Sequence, residues 1–125
     1  DLLIAAALKT GQRAPHIVSR DMVRSMQPGS VIVDISVDQG GSVETTRPTT
    51  YEQPTYLEEG VLHFSVTNMP GAVPRSASQA LSAVLLPCVH SLLRPDWEDD
   101  NPALVRGINV AAGVLRHPAL KDSLA

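Results

Sequence analysis

The chain has 125 residues, of which 43% are hydrophobic, 18% charged and 3% aromatic, with a formal net charge of −3. This balance is typical of one globular domain and excludes a disordered or fibrous chain. The negative charge and the few aromatic residues argue against nucleic-acid binding, and no apolar run approaches the roughly 18 residues of a membrane span. The lone cysteine, Cys88, favours a reducing, cytoplasmic setting. From the charge, the aromatic content and the apolar runs, we expect neither nucleic acid nor a membrane as a partner.

The N-terminal residues predict a buried strand. Residues 2–8 read LLIAAAL, and a continuous apolar run of this length is typical of a strand that is buried on both faces of a parallel sheet. The run starts directly after Asp1, with neither an initiator Met nor the basic region of a signal peptide. We therefore expect the chain to be the C-terminal part of a longer polypeptide.

A short helix and a second strand follow. Residues 19–26 predict a helix that begins at the N-cap Ser19 and ends before Pro28-Gly29. Residues 30–37, SVIVDISV, are rich in β-branched residues and predict a strand. A strand, a helix and a strand within this length form a βαβ unit, so we expect the two strands to be parallel.

The rest of the chain alternates between loops, a strand and helices. Residues 38–60 are polar and predict a long functional loop, and residues 62–67 predict a third strand. Residues 76–93 predict the longest helix, with Ser76 and Gln79 as a capping box and one apolar, buried face. Asn101-Pro102 predicts the start of a further helix that ends at Gly107.

Ligands of open parallel sheets bind outside the carboxyl ends of the strands, which directs attention to the residues after each predicted strand. After the second strand lies Asp38-Gln39-Gly40-Gly41. Asp38 is either an active-site carboxylate, acting as general acid or base or holding a ligand hydroxyl, or a turn aspartate bonded to neighbouring N–H groups. The spacing alone leaves both interpretations open.

The other candidates are also ambiguous. Arg47 is either a clamp for a phosphate or carboxylate or a solvated loop residue, and Asn68 either binds an amide or caps a turn. The four histidines lack metal-ligand spacing, so we expect structural histidines and no metal site. The chain also has no G-x-G-x-x-G turn, so the pyrophosphate-binding half of a dinucleotide fold is not within it.

Together, three long motifs resemble the C-terminal half of the bacterial L-alanine dehydrogenase family. They are VIVDISVDQGG at residues 31–41, TRPTT at residues 46–50 and VTNMPGAVP at residues 66–74. The resemblance implies an α/β fold: the C-terminal half of a Rossmann-type parallel sheet plus a long helix returning to the substrate domain. It divides the chain into residues 1–74, part of the NAD-binding domain, and residues 75–125, part of the substrate domain.

The resemblance also implies a function and its site residues. The family converts L-alanine to pyruvate and ammonium while NAD takes the hydride, and it forms homohexamers. Asp38 corresponds to the catalytic carboxylate beside the nicotinamide. The residues that correspond to the family's cofactor site are Ala7, Leu8, Ile35, Ser36, Val37, Asp38, Arg47, Val66, Thr67, Asn68 and Met69.

Two other functions remain open at this point. The first is an NAD(H)-binding subunit of the related transhydrogenase type, against which the residues Asp38-Gln39 argue. The second is a non-catalytic remnant, because the Gly-rich half of the dinucleotide fold is missing from the chain. The resemblance also implies that the family's substrate-binding residues and its partner histidine lie in the N-terminal half. We therefore expect this piece to be inactive alone and to need that N-terminal half.

Overall fold

The computed structural model describes residues 1–124, with side chains up to Lys121. It divides into two compact units, residues 1–69 and the described residues from Pro70 onward. The division after Met69 lies close to the predicted boundary at residue 74. That these units belong to a cofactor domain and a substrate domain stays a prediction.

The first unit contains a four-stranded sheet in the order β1-β2-β4-β3. The pairs β1-β2 and β2-β4 are parallel, whereas β3 runs antiparallel to β4. This confirms the predicted α/β fold with a parallel sheet. The strands are β1, Leu2–Ala5; β2, Val31–Asp34; β3, Thr55–Glu58; and β4, Val61–Phe64, and the helix α1, Arg20–Arg24, lies between β1 and β2 in the sequence.

Helix α1 begins where the sequence predicts. The Ser19 side chain accepts a hydrogen bond from the Met22 N–H at 3.3 Å and so satisfies one of the free donors of the first turn. Asp21 in the first turn and Arg24 in the last turn each complement the helix dipole. Val23 on this helix is fully buried and anchors it to the sheet.

Strand β3 corrects the prediction of a long irregular loop over residues 38–60. The turn between β3 and β4 consists of Glu59 and Gly60, with φ values of 54° and 77°. Two consecutive positive φ values form the tight turn that matches the twist of a β-hairpin. The Gly60 signal is present in the sequence, but only pairing with β4 makes the residues before it a strand.

The sheet is covered on one face only, which corrects the expectation of strands buried on both faces. The core cluster lies at the covered face and consists of Ala5, Ile32 and Val61 from the strands, Val23 from α1 and Val43 from a loop. On the other face Leu2, Ile4 and Leu57 remain 64%, 59% and 67% exposed. Within the described residues 1–69, helix α1 and the loop around Val43 cover a single side of the strands.

Ion pairs join helix α1 to the β3-β4 hairpin. Arg20 contacts Glu58 and Glu59 at 2.7 Å each, and Arg24 contacts Glu59 at 3.1 Å. The Arg24 and Arg20 guanidiniums hold the pKa of the Glu59 carboxyl below its ordinary value. The stabilisation is therefore present above the ordinary glutamate pKa and is lost as the pH falls through the lowered value. The groups are exposed enough for salt to screen them.

The second unit is mostly helical. Helix α2 spans Pro74–Leu92 and continues through Pro87; it has no capping side chain, so the predicted box of Ser76 and Gln79 is wrong. Pro74 occupies the first turn instead, where its missing N–H costs nothing. The remaining elements are α3, Trp97–Asp100; α4, Pro102–Arg106; β5, Val110–Ala111; β6, Val114–Leu115; and α5, Pro118–Leu124.

The apolar face of α2 is exposed, contrary to prediction. None of its residues is buried, and Leu81 and Val84 are 60% and 69% exposed. The other elements of the second unit are helices of four to seven residues and a hairpin of two-residue strands, which are too short to cover a 19-residue helix. Among the described residues, no helix is long and apolar enough to cross a membrane.

Helix α4 begins and ends as predicted. The Asn101 side chain accepts a hydrogen bond from the Leu104 N–H at 3.3 Å, Pro102 stands in the first turn, and Gly107 is the C-cap. These signals are local, so the sequence shows them without knowledge of the surrounding fold.

Candidate active site

A serine joins the segments that follow β1 and β2. The Ser36 hydroxyl accepts a hydrogen bond from the Ala7 N–H at 2.6 Å and donates one to the Ala7 carbonyl at 2.9 Å. Leu8, the next residue, is 78% exposed at this edge. Three residues predicted to contact the cofactor are thereby brought to the carboxyl edge of the sheet.

Asp34, which the sequence analysis did not single out, is the most highly connected side chain of this edge. Its carboxylate is fully buried, and no Arg, Lys or His within the described residues forms an ion pair with it. It accepts five hydrogen bonds, which satisfy a buried negative charge without a cation. The donors are Ser36 N and Ser42 Oγ to Oδ1, both at 3.0 Å, and Ser42 N at 2.7 Å, Val43 N at 3.0 Å and Thr46 Oγ1 at 2.7 Å to Oδ2.

Asp34 also ends the strand earlier than predicted. Its bond to the Ser36 N–H caps a 3-10 helix, Ile35–Gln39, so Val37 lies in this helix and not in a strand. Gly40 closes the helix in the left-handed conformation, with φ 101°. Ile35 is 51% exposed whereas Ser36 and Val37 are buried, which shows that only part of the predicted set faces solvent.

Asp38 lies on the exposed side of the 3-10 helix and reaches the segment that follows the neighbouring strand β4. Its two carboxylate oxygens accept the Asn68 N–H at 3.0 and 3.2 Å. The two residues are 30 positions apart, so the carboxylate bridges the segments that follow β2 and β4 instead of capping its own turn. Tyr51 supports the same place, since its hydroxyl donates to the Met69 carbonyl at 3.0 Å.

Arg47, on the loop before β3, belongs to a stack of three side chains with Tyr56 of β3 and His63 of β4. Its guanidinium carbon lies 4.1 Å from the centre of the Tyr56 ring, close enough for a cation–π interaction. The other side of the Tyr56 ring stacks on His63, with centroids 4.9 Å apart and 20° between the planes. The Tyr56 hydroxyl accepts the Arg47 N–H at 2.9 Å and donates to the Thr45 carbonyl at 2.8 Å.

His63 is a structural histidine, as the sequence analysis expected. The ring is fully buried, with Nδ1 3.0 Å from the Val61 carbonyl and Nε2 2.7 Å from the Thr45 hydroxyl. Because a carbonyl only accepts, Nδ1 carries the hydrogen that points to Val61. Burial raises the pKa of the Tyr56 hydroxyl, whose ring stacks on His63. Within the described residues, no group of His, Cys, Asp or Glu side chains is arranged to hold a metal ion.

A small polar pocket opens beside Arg47. Its volume is about 170 Å³. Backbone bonds from Thr49 N–H to the Ser65 carbonyl, and from Thr67 N–H to the Thr49 carbonyl, attach this loop to the end of β4, where Val66 is buried. The lining residues are Arg47, Pro48, Thr49, Thr50, Gln53, Thr55 and Tyr56.

Replacing Tyr56 with Phe tests whether the stack is held by the hydroxyl. The variant keeps the ring between Arg47 and His63 but leaves the Arg47 N–H and the Thr45 carbonyl without this partner. We expect a loss of about 2 kcal/mol of stability, measured by chemical denaturation. Tyr51→Phe is the matched control, because Tyr51 is 53% exposed; equal effects of the two substitutions would contradict the assignment.

The strand order and the polar edge together define the class of this protein. Parallel strands whose carboxyl ends carry a carboxylate, a glycine turn and exposed apolar side chains are typical of a Rossmann-type nucleotide-binding domain. Comparison with known proteins agrees and is more specific. The family model described as alanine dehydrogenase/PNT, C-terminal domain, matches residues 1–118, so the chain belongs to this family.

Individual relatives support the same conclusion. The chain is 44% identical to alanine dehydrogenase of Halomonas elongata and 46% identical to that of Bacillus subtilis, over 98% and 99% of its length. It covers 34% of each relative, so it spans about a third of their length. These matches confirm the resemblance that the sequence motifs predict.

Two solved structures resemble the chain to different degrees. A structure of L-alanine dehydrogenase matches with a TM-score of 0.79 and 49% identity, covering 98% of this chain and 35% of the other. The transhydrogenase from Sinorhizobium meliloti matches with a TM-score of 0.68 and 30% identity, covering 95% and 32%. The likeness to alanine dehydrogenase is thus greater in both fold and sequence.

Proposed function

We propose that this chain supplies part of the NAD site and the catalytic carboxylate of an NAD-dependent L-alanine dehydrogenase. The observation that carries the proposal is the bridge from Asp38 to Asn68, because it joins an exposed carboxylate to the segment that follows a neighbouring parallel strand. In sheets of this class the ligand binds at that edge. The similarity to alanine dehydrogenases along nearly the whole chain supports the reaction.

The residues at this edge fit a dinucleotide. Ile35 and Leu8 expose apolar surface on which a planar ring can pack, and Asp38 stands beside Ile35 on the same 3-10 helix. Arg47, spread over Tyr56, offers a fixed cation and donors to a phosphate or carboxylate. NAD, when bound, accepts the hydride from the substrate; we assign its site to Ala7, Leu8, Ile35, Ser36, Val37, Asp38, Arg47, Val66, Thr67, Asn68 and Met69. In this set the buried Ser36, Val37 and Val66 support the segments that line the site.

The proposed role of Asp38 is proton transfer. Oxidation of the amine leaves a cationic imine, to which water adds before ammonia departs, and each of these steps moves a proton. A carboxylate near the imine stabilises its positive charge and accepts a proton from the attacking water. Asn68 orients this carboxylate through its N–H while the carboxylate stays open to solvent.

We also propose that the chain works together with an N-terminal part, which supplies the groups that bind the substrate. The open face of the sheet supports this proposal, because Leu2 and Ile4 on the edge strand β1 are exposed. Exposed edges and apolar faces favour pairing with further chain. A homohexamer and a cytoplasmic setting, to which the lone Cys88 is suited, complete the proposal.

The test is alanine-dependent reduction of NAD by the complete enzyme, meaning this segment together with its N-terminal part. An intact mass about three times that of the segment is expected, since the segment is 34% of its relatives. Activity with L-alanine and NAD supports the proposal. Hydride exchange between nicotinamide cofactors without alanine would favour the transhydrogenase-type function, which the lower similarity makes the second candidate. Absence of NAD binding would leave a non-catalytic remnant.

A further inference from the structure

We propose that Asp34 is a positioning residue of the cofactor site, whose buried carboxylate holds the segments carrying Ala7, Asp38 and Arg47 in one arrangement. The inference rests on the proposed function, because it concerns the same NAD site. Asp34 does not reach solvent, so it acts through the groups that donate to it.

Asp34 holds the segment that carries Asp38 at both ends. The five hydrogen bonds that its carboxylate accepts, from Ser36, Ser42, Val43 and Thr46, are called the clamp below. Oδ1 accepts the Ser36 N–H and thereby starts the 3-10 helix, while Oδ2 accepts the N–H groups of Ser42 and Val43 beyond the glycine turn. Both ends of the segment 35–43, which contains the 3-10 helix and the glycine turn, are therefore hydrogen-bonded to one side chain. Asp38 lies between these ends, so its position relative to β2 depends on Asp34.

The clamp also reaches the two neighbouring segments, which carry Ala7 and Arg47. Ser36, held by Oδ1, binds both backbone groups of Ala7 through its hydroxyl. Thr46, held by Oδ2 at 2.7 Å, directly precedes Arg47 in the chain. One carboxylate thus connects the segment after β1, the 3-10 helix and the loop that carries Arg47.

The carboxylate of Asp34 matches its partners in hydrogen-bonding capacity. All five partners donate, and a carboxylate is the side chain of this size that only accepts. An amide at the same position turns one acceptor into a donor, which then faces a backbone N–H or a hydroxyl of the clamp. The substitution Asp34→Asn therefore disturbs the clamp with almost no change in volume.

The experiment is a calorimetric titration of the complete enzyme with NAD, without alanine. We expect Asp34→Asn to weaken NAD binding by about tenfold or more at unchanged stoichiometry, since a hydrogen bond to a charged group contributes roughly this factor. A merely structural role lowers the stoichiometry, because part of the enzyme is unfolded, and leaves the affinity of the folded part unchanged. If Asp34 is a positioning residue, Asp34→Asn should also raise the KM for NAD, while the KM for alanine stays within about twofold of wild type.

A second variant keeps the proposal testable if Asp34→Asn does not fold. Thr46→Val removes one donor to Asp34 and preserves the shape of the side chain. The shape matters because Thr46 packs closely on Gly41, where an added Cβ would lie 2.8 Å from Thr46 Cγ2. We expect it to weaken NAD binding by roughly three- to tenfold. Ser30→Ala is the matched control, because the Ser30 hydroxyl is buried and has no hydrogen-bond partner in the part of the chain that the structure describes; NAD affinity should be unchanged.

The outcomes separate the two proposals. If the wild-type complete enzyme neither binds NAD nor oxidises alanine, the proposed function fails. If the wild type is active but Thr46→Val, and Asp34→Asn where it folds, bind NAD with the affinity of Ser30→Ala, then the positioning role of Asp34 is overturned while the proposed function stands.

Discussion

Replacing Asp38 with Asn in the complete enzyme is expected to lower kcat for alanine oxidation by about 10²- to 10⁴-fold, the usual contribution of a general acid or base. The amide oxygen still accepts the Asn68 N–H, so the segment keeps its place. Only the capacity to take a proton and to stabilise a cationic imine is lost. NAD binding should consequently remain close to wild type while turnover collapses.

Steady-state kinetics and an NAD titration check this prediction together. Asp21→Asn is the matched control, because the Asp21 carboxylate is 88% exposed on α1 and pairs with Arg24, away from the strand ends. If Asp38→Asn retains a kcat near that of Asp21→Asn, Asp38 is a structural bridge and the catalytic carboxylate lies elsewhere in the complete enzyme.

The second large effect is expected at Gly41, which lies against the Asp34 clamp. Its φ is +82°, and a Cβ there would lie 2.8 Å from Thr46 Cγ2 and 3.2 Å from Asp34 Oδ2. Alanine at this position combines an unfavourable left-handed backbone with a collision. We expect Gly41→Ala to cost about 3 kcal/mol or more, a size that only a few mechanisms produce.

Gly29→Ala separates the two causes. Gly29 has nearly the same φ, +83°, but among the described residues, its two chain neighbours aside, no atom lies within 4 Å of an added Cβ. It should lose only about 1 kcal/mol, the backbone part. Hydrogen exchange measures the difference locally: Gly41→Ala should accelerate exchange of the Ser42 and Val43 N–H groups, which donate to Asp34, and Gly29→Ala should not. Similar exchange in both variants would contradict the clamp.

Local signals in the sequence predicted the elements that depend on near neighbours. Ser19 as the cap of α1 and Asn101 as the cap of α4 were both correct, because each bonds an N–H three residues away. The capping box at Ser76 was wrong, since the same local pattern competes there with Pro74. Strand β2 was predicted from its β-branched residues, but it is shorter because Asp34 begins a 3-10 helix.

The candidate site was predictable in part. Asp38 and Asn68 were singled out as residues that follow strands, and the parallel sheet brings them together at 3.0 Å. Asp34 was missed, although a lone carboxylate within an apolar strand and shortly before a glycine turn is a detectable signal. Its meaning depends on donors up to 12 positions away, which no short window contains.

The sequence by itself determined the parallel α/β class, the family and the residues that stand at the strand ends, because periodicity, caps and long motifs are properties of the chain alone. Only the tertiary structure decided which of these residues meet. The contacts of Ala7 with Ser36 and of Asp38 with Asn68 join residues 29 and 30 positions apart. Such contacts arise when strand register and burial select one arrangement of the chain, and burial is also what makes Asp34 the acceptor of five donors.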